Sequence, residues 1–198
     1  MTAAEVELLF QRLERIQRRI NHHAGDGHTW RCTFPEGDTT TYVLIGVKGP
    51  DEVEDQIREK LAWWWNTKDY VKKLAKSVGQ SPQAIEDMVN NDPRLAICAD
   101  LANSQNRGGL DRTHKARSGT NPVLSPVIYR AGTVDAAIRS ITFSPGGVVA
   151  VVVDPDKTEF VVPLRNDAGV VIDEALDLLA YAVSVWENVF NRFQGSGA

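Results

Sequence analysis

The chain is predicted to fold in the α+β class, as an antiparallel sheet (an N-terminal hairpin plus a later meander) packed against several helices. Three observations carry this. Segments rich in Thr, Tyr and Val at 29–34 and 39–47 flank turn chemistry at Pro35-Glu-Gly-Asp38. Further β-type segments follow one another between 127 and 164, separated by Ser144-Pro-Gly-Gly147 and Asp154-Pro-Asp-Lys157. Beyond them Ile172, Leu176, Leu179, Val183, Trp186, Phe190 and Phe193 recur at helical spacing, with Asp173, Asp177, Ser184, Asn188 and Asn191 opposite. A length of 198 residues suits a single domain over 1–194, with 195–198 a flexible tail.

The elements follow in order. Thr2-Ala-Ala-Glu5 has the form of a capping box, and Val6, Leu9, Leu13, Ile16 and Ile20 continue it as a helix that stops near Gly25-Asp-Gly27. The two segments around Pro35–Asp38 make a hairpin. Gly49-Pro-Asp-Glu52 opens a second helix, with proline and carboxylates suited to its first turn. Ile57, Leu61, Trp64, Val71, Ala75 and Val78 hold one face of it, Lys68 falls inside that stripe, and Gly79 ends it. Ser81-Pro82 and Asp92-Pro93 each pair a capping residue with a proline and mark two more helices. Residues 106–123 hold Gly108, Gly109, Gly119 and Pro122 and read as a long loop, a feature that tends to be functional in compact domains. Segments 127–131, 137–143, 148–153 and 159–164 then form an antiparallel meander. The unbroken apolar run Val148–Val153 predicts a central strand covered on both faces. Pro163 fits a strand end or an edge strand.

Composition narrows the function classes. A net charge of −4 argues against a dedicated nucleic-acid binder, although a local patch can depart from the global balance. Cys32 and Cys98 lie far apart among apolar neighbours, which fits buried free thiols in a reducing cytoplasm. There is no signal-peptide layout and no apolar run of about 18 residues, so no membrane association is expected. No phosphate loop, Rossmann glycine pattern or nucleophile elbow occurs, and no organic cofactor is expected. His22, His23, His28 and Cys32 are the nearest approach to a metal cluster, but their spacing fits no zinc template and no metal is expected.

Polar side chains concentrate between Cys98 and Arg117. On a helix from Pro93 to about Arg107, Leu95, Cys98, Ala99, Leu101 and Ala102 form one face, and Asp100, Asn103, Ser104 and Arg107 the other. Asp100 can reach Ser104 and Asn103 can reach Arg107, each four residues on. This face reads as a solvated surface, as a network pinning the loop, or as a ligand face. The loop beyond carries Arg107, Arg112, His114, Lys115 and Arg117 against one acid, Asp111. Such cations bind phosphate or a protein partner, but no aromatic residue interleaves with them to stack on bases.

The words Cys98-Ala-Asp-Leu-Ala-Asn-Ser104 and Arg117-Ser-Gly119, with a closing amphipathic helix holding Trp186-Glu187, resemble a group of uncharacterised bacterial proteins that is loosely similar to the HEPN helical nucleases. That resemblance implies a metal-independent ribonuclease or RNA-binding protein, with Arg107 stabilising phosphate charge and His114 acting as acid or base. The sequence departs from the group at Gln105-Asn106-Arg107, where Lys-His is expected, and at Gly108, where the nuclease motif has a polar residue.

Trp63-Trp64-Trp65 spread over roughly 200° of a helix. Trp64 continues the core stripe, so Trp63 and Trp65 need other cover, from the fold or from a partner. The leading expectation is a non-enzymatic interaction protein that contacts a protein partner, or a second copy of itself, through the tryptophan helix and residues 104–117. RNA is the alternative partner.

Overall fold

The computed structural model describes residues 22–106, 116–131 and 137–195, together with Leu8, Gln11, Arg12, Glu14, Arg15 and Arg18. Those six early residues are helical and exposed. The capping box and the apolar positions Val6, Leu9, Leu13, Ile16 and Ile20 lie outside the described residues. The α+β class holds. The chain divides into two compact units, each assembled from separated segments: Met1–Gln17, Gln56–Ser125 and Val162–Ala198 in the first, Arg18–Asp55 and Pro126–Val161 in the second.

The first unit is mainly helical. Helix α1 (Pro50–Ser77) contributes all but its first residues to it. Helices α2 (Pro82–Asn91), α3 (Pro93–Asn106) and α4 (Ala175–Gly195) complete the set. Local chemistry fixes the starts. Ser81 is extended and its hydroxyl accepts the Gln83 N–H at 3.2 Å, with Pro82 following as the first helical residue. Ser81→Ala is expected to cost about 1 kcal/mol, read from the urea midpoint, because this donor then has only water. Asp92 Oδ1 accepts the N–H groups of Arg94 (2.9 Å) and Leu95 (3.1 Å) at the start of α3.

The core of this unit is a helix-to-helix contact. The rings of Trp64 on α1 and Trp186 on α4 stack at 5.6 Å. Each indole N–H donates to a carbonyl of the other helix, Trp64 Nε1 to Ala182 O (3.0 Å) and Trp186 Nε1 to Trp64 O (3.2 Å). Two buried indoles are thus fully satisfied, which is what lets such large side chains fill a core. Val78 is exposed, a correction to its place in the stripe, because α1 ends at Ser77 and the chain turns at Gly79 with φ +77°. Helix α3 is buried from Leu95 to Ala102 with no exposed position, Asp100 included, so its expected amphipathic pattern is replaced by burial all round.

A small sheet in the same unit has the order β3-β8-β9, from Val123–Leu124, Pro163–Arg165 and Val171–Glu174. Residues Ile172 and Asp173 therefore belong to a strand and not to the closing helix. Helix α4 starts three residues later than its spacing suggests, where Glu174 Oε2 accepts the Asp177 N–H at 2.8 Å. Pro163 opens β8, as its missing donor requires.

The second unit carries the larger sheet. Strands β1 (His28–Thr33) and β2 (Thr39–Ile45) form the expected antiparallel hairpin. Strands β5 (Ile138–Ser144) and β6 (Gly147–Val152) form another. Strand β6 then lies parallel to β2, giving the order β1-β2-β6-β5. A Cβ at Gly147 would stand 1.9 Å from Thr41 O, so this approach requires glycine. The continuous meander is thereby corrected. Because β2 occupies the second edge of β6, β7 (Thr158–Val161) pairs with β4 (Ile128–Ala131) in a separate ribbon. Burial of β6 is also less than its sequence suggests. Gly147 and Val152 are buried, while 148–151 are only partly so, since it is hydrogen bonding on both edges that makes this strand central. Phe160 meets Tyr129 edge-on at 5.4 Å and His23 at 4.5 Å, and the Tyr129 hydroxyl donates to Lys48 O at 2.9 Å.

Candidate functional site

One charged cluster of the first unit gathers beside Trp65. Helix α1 places Trp65, Lys68 and Lys72 along one face, three and four residues apart. Lys68 lies within the buried stripe, as its spacing indicates, and is 6% exposed. Its ammonium sits 3.7 Å from the centre of the Trp65 ring and 2.9 Å from Glu86 Oε1 on α2. Lys72 Nζ reaches the same oxygen at 2.8 Å. Arg117 adds a third cation: its Nη1 donates to Asn90 Oδ1 at 2.8 Å and lies 3.7 Å from Glu86 Oε2, with Cζ 5.0 Å from the Trp65 ring.

One carboxylate therefore serves three cations. Partial burial raises the Glu86 carboxyl, but hydrogen bonds from Lys72 and Lys68 and their positive charge outweigh this and bring its pKa down to about 2. The cluster keeps a surplus of positive charge, and Lys72 and Arg117 carry it to the surface with side chains 30% and 35% exposed.

Asp100 anchors the segment that delivers Arg117. It is 2% exposed and accepts the backbone N–H groups of Arg117 and Ser118, both at 2.9 Å, and the Ser118 hydroxyl at 2.6 Å. Gly119, with φ +71°, closes the turn through its N–H to Ala116 O at 3.1 Å. Asp100 thus pins the loop and does not reach Ser104. The Ser104 hydroxyl donates instead to Leu101 O of its own helix at 2.8 Å. Asn103 is half-buried on the same helix. Arg107, Arg112, His114 and Lys115 lie outside the described residues.

Trp63 and Trp65 are half-buried, each with a cation on its ring. The Arg12 guanidinium stands 3.2 Å from the Trp63 centroid, and Lys68 and Arg117 cover Trp65. The consecutive indoles therefore stack on cations at two positions and on Trp186 at the third.

A second polar cluster escaped sequence reasoning. Arg94 holds Asp173 with a two-pronged contact at 2.9 and 3.1 Å, and its guanidinium lies 4.8 Å from the Tyr181 ring. The Tyr181 hydroxyl donates to Asp92 Oδ2, and this bond raises the phenol pKa. These contacts tie α3, β9 and α4 together. Cys98 is fully buried and burial pushes its thiol pKa up, which leaves it protonated and inert; Cys32 is half-exposed, a correction to its expected burial. Among the described residues no group of three or more His, Cys, Asp or Glu is placed to hold a metal ion. His28 stacks on Trp30 at 5.7 Å, and His23 Nδ1 lies 3.2 Å from Pro155 O.

The fold and this cluster define an α+β protein with a cation-rich aromatic patch on a helical unit. No protein-family model matches the chain, and neither a curated protein nor a solved structure matches it. No described helix is long and apolar enough to cross a membrane.

Proposed function

We propose that this chain is a non-enzymatic interaction protein that holds an acidic segment of a protein partner at Trp65, Lys72 and Arg117. The observation that carries the reading is the imbalance of three cations on the single carboxylate Glu86. A partner carboxylate is the complement such a cluster lacks, and charge complementarity of this kind sets partner choice and encounter rate. A protein partner is favoured over RNA because the Trp65 ring already carries Lys68 and Arg117, which leaves it unsuited to stack on a base.

The test is fluorescence anisotropy with two probes of equal charge, a labelled glutamate-rich peptide and a labelled single-stranded RNA, at low and at physiological salt. The peptide is expected to bind, and Lys72→Ala or Arg117→Ala to weaken it by about tenfold each. Tighter binding of the RNA, unaffected by both variants, would replace this reading with the nucleic-acid one. In that case RNA cleavage in EDTA, lost in Arg107→Ala and His114→Ala, would identify the metal-independent ribonuclease that the sequence resemblance implies.

A further inference from the structure

Strand β5 forms one edge of the four-stranded sheet, and every residue from Arg139 to Ser144 is exposed. Phe143 is 77% and Ile141 49% exposed. Such an edge offers unpaired backbone N–H and C=O groups to any incoming strand, and proteins ordinarily blunt it with charge or proline. Between 140 and 144 this strand has neither. It reads Ser140-Ile-Thr-Phe-Ser144, a pattern chemically the same in both directions about Thr142.

We propose that two copies of this chain pair through β5, antiparallel, across a two-fold axis at Thr142. Antiparallel strands related by such an axis oppose each residue to its mirror position in the pattern. Thr142 then faces Thr142 of the second copy, Ile141 faces Phe143, and Ser140 faces Ser144. These are the pairings that favour a sheet: hydroxyl with hydroxyl, and aromatic with β-branched. Arg139 sits where β5 shifts register against β6 and Pro145 lies past the strand's end, so the paired stretch 140–144 brings no charges together. The register of the sheet puts Phe143 in one row with Val148, Tyr42 and Trp30, and the apolar face therefore continues across the axis. A second copy is the occupant because it supplies the matching alternation from the same residues. The opposite edge, β1, carries Arg31 and lacks this symmetry. The contact is small, which places it in the weak, concentration-dependent class. It is independent of the acidic-segment reading, which concerns the other unit.

Sedimentation velocity over a micromolar concentration series tests it. The wild type is expected to pass from monomer to dimer. Thr142→Lys and Thr142→Glu each place like charges on the axis and are expected to weaken dimerisation tenfold or more, while an equimolar mixture of the two pairs again. Thr142→Cys, oxidised gently, is expected to cross-link position 142 to itself, mapped by mass spectrometry. The exposed site makes these variants tolerable to the fold, checked by circular dichroism. A wild type that stays monomeric throughout, or a dimer that Thr142→Lys leaves unchanged, would overturn the proposal.

Discussion

Glu86→Gln is expected to lower the stability of the protein by about 3 kcal/mol at pH 7, the cost of removing one partner from a largely buried ion pair. The reason is Lys68. Its side chain is 8% exposed, and Glu86 is the carboxylate 2.9 Å from its ammonium. With an amide in place of that carboxylate, Lys68 and Lys72 face each other across one neutral oxygen. Acid removes the same interaction. The folded carboxyl sits at about pH 2 against an ordinary 4.5. Its contribution is therefore complete above pH 4.5 and is lost as pH falls from there towards 2. Urea titrations of wild type and variant should differ most at neutral pH and converge in acid; a constant difference would place the defect elsewhere. The substitution also separates structure from binding. At temperatures where the variant is folded, Lys72 and Arg117 lose their internal competitor, so the acidic peptide should bind more tightly to a less stable protein. A patch that serves only the fold would give the first effect without the second.

How much of this arrangement the sequence discloses depends on distance along the chain. Pro50, Ser81-Pro82 and Asp92-Pro93 mark helix starts because capping chemistry is local. The hairpin around Pro35–Asp38 is legible for the same reason. Strand pairing is not: Gly147 permits the close approach to Thr41, but no local pattern within 147–152 names as its parallel partner a strand a hundred residues earlier. Strand β9 is concealed because Ile172 fits the helical spacing of Leu176 and Leu179, and only the Glu174 side chain marks the true helix start. At the site, Lys68 is conspicuous as a charge in an apolar stripe. Its partner Glu86 lies on another helix in a run with no unusual composition. Asp100 looks like a surface residue of an amphipathic helix. Its burial depends on a turn at 117–120 that the sequence presents only as a glycine-containing loop. The resemblance through Asp100-Leu-Ala-Asn-Ser104 thus falls on residues whose described contacts, at Asp100 and Ser104, are internal to the fold.

Lys60→Met is expected to act in the opposite direction and stabilise the protein by roughly 3 kcal/mol at pH 7. Lys60 is 3% exposed, one turn before Trp64 on the buried face of α1. Among the described residues it has neither an ion pair nor a hydrogen bond. Burial alone lowers its pKa from 10.5 to about 8. A proton held by the unfolded chain at 10.5 and by the folded one only to 8 opposes folding fully below pH 8, and the figure follows from that interval. Between pH 8 and 10.5 the folded state has lost the proton and the unfolded state keeps it, so wild-type stability should rise through this window. Tyr129 contributes with the other sign only further up: burial first, then Asp51 and Glu52, raise its phenol to about 12, and the resulting stability is lost as pH climbs from 10 to 12. Comparing the two proteins from pH 7 to 9.5 isolates the lysine. Methionine fills a similar volume with an adaptable apolar chain. Its advantage should be largest at pH 7 and shrink steadily as the wild-type amine becomes neutral. A variant less stable than wild type at pH 7 would mean that the ammonium has a partner worth more than its desolvation costs.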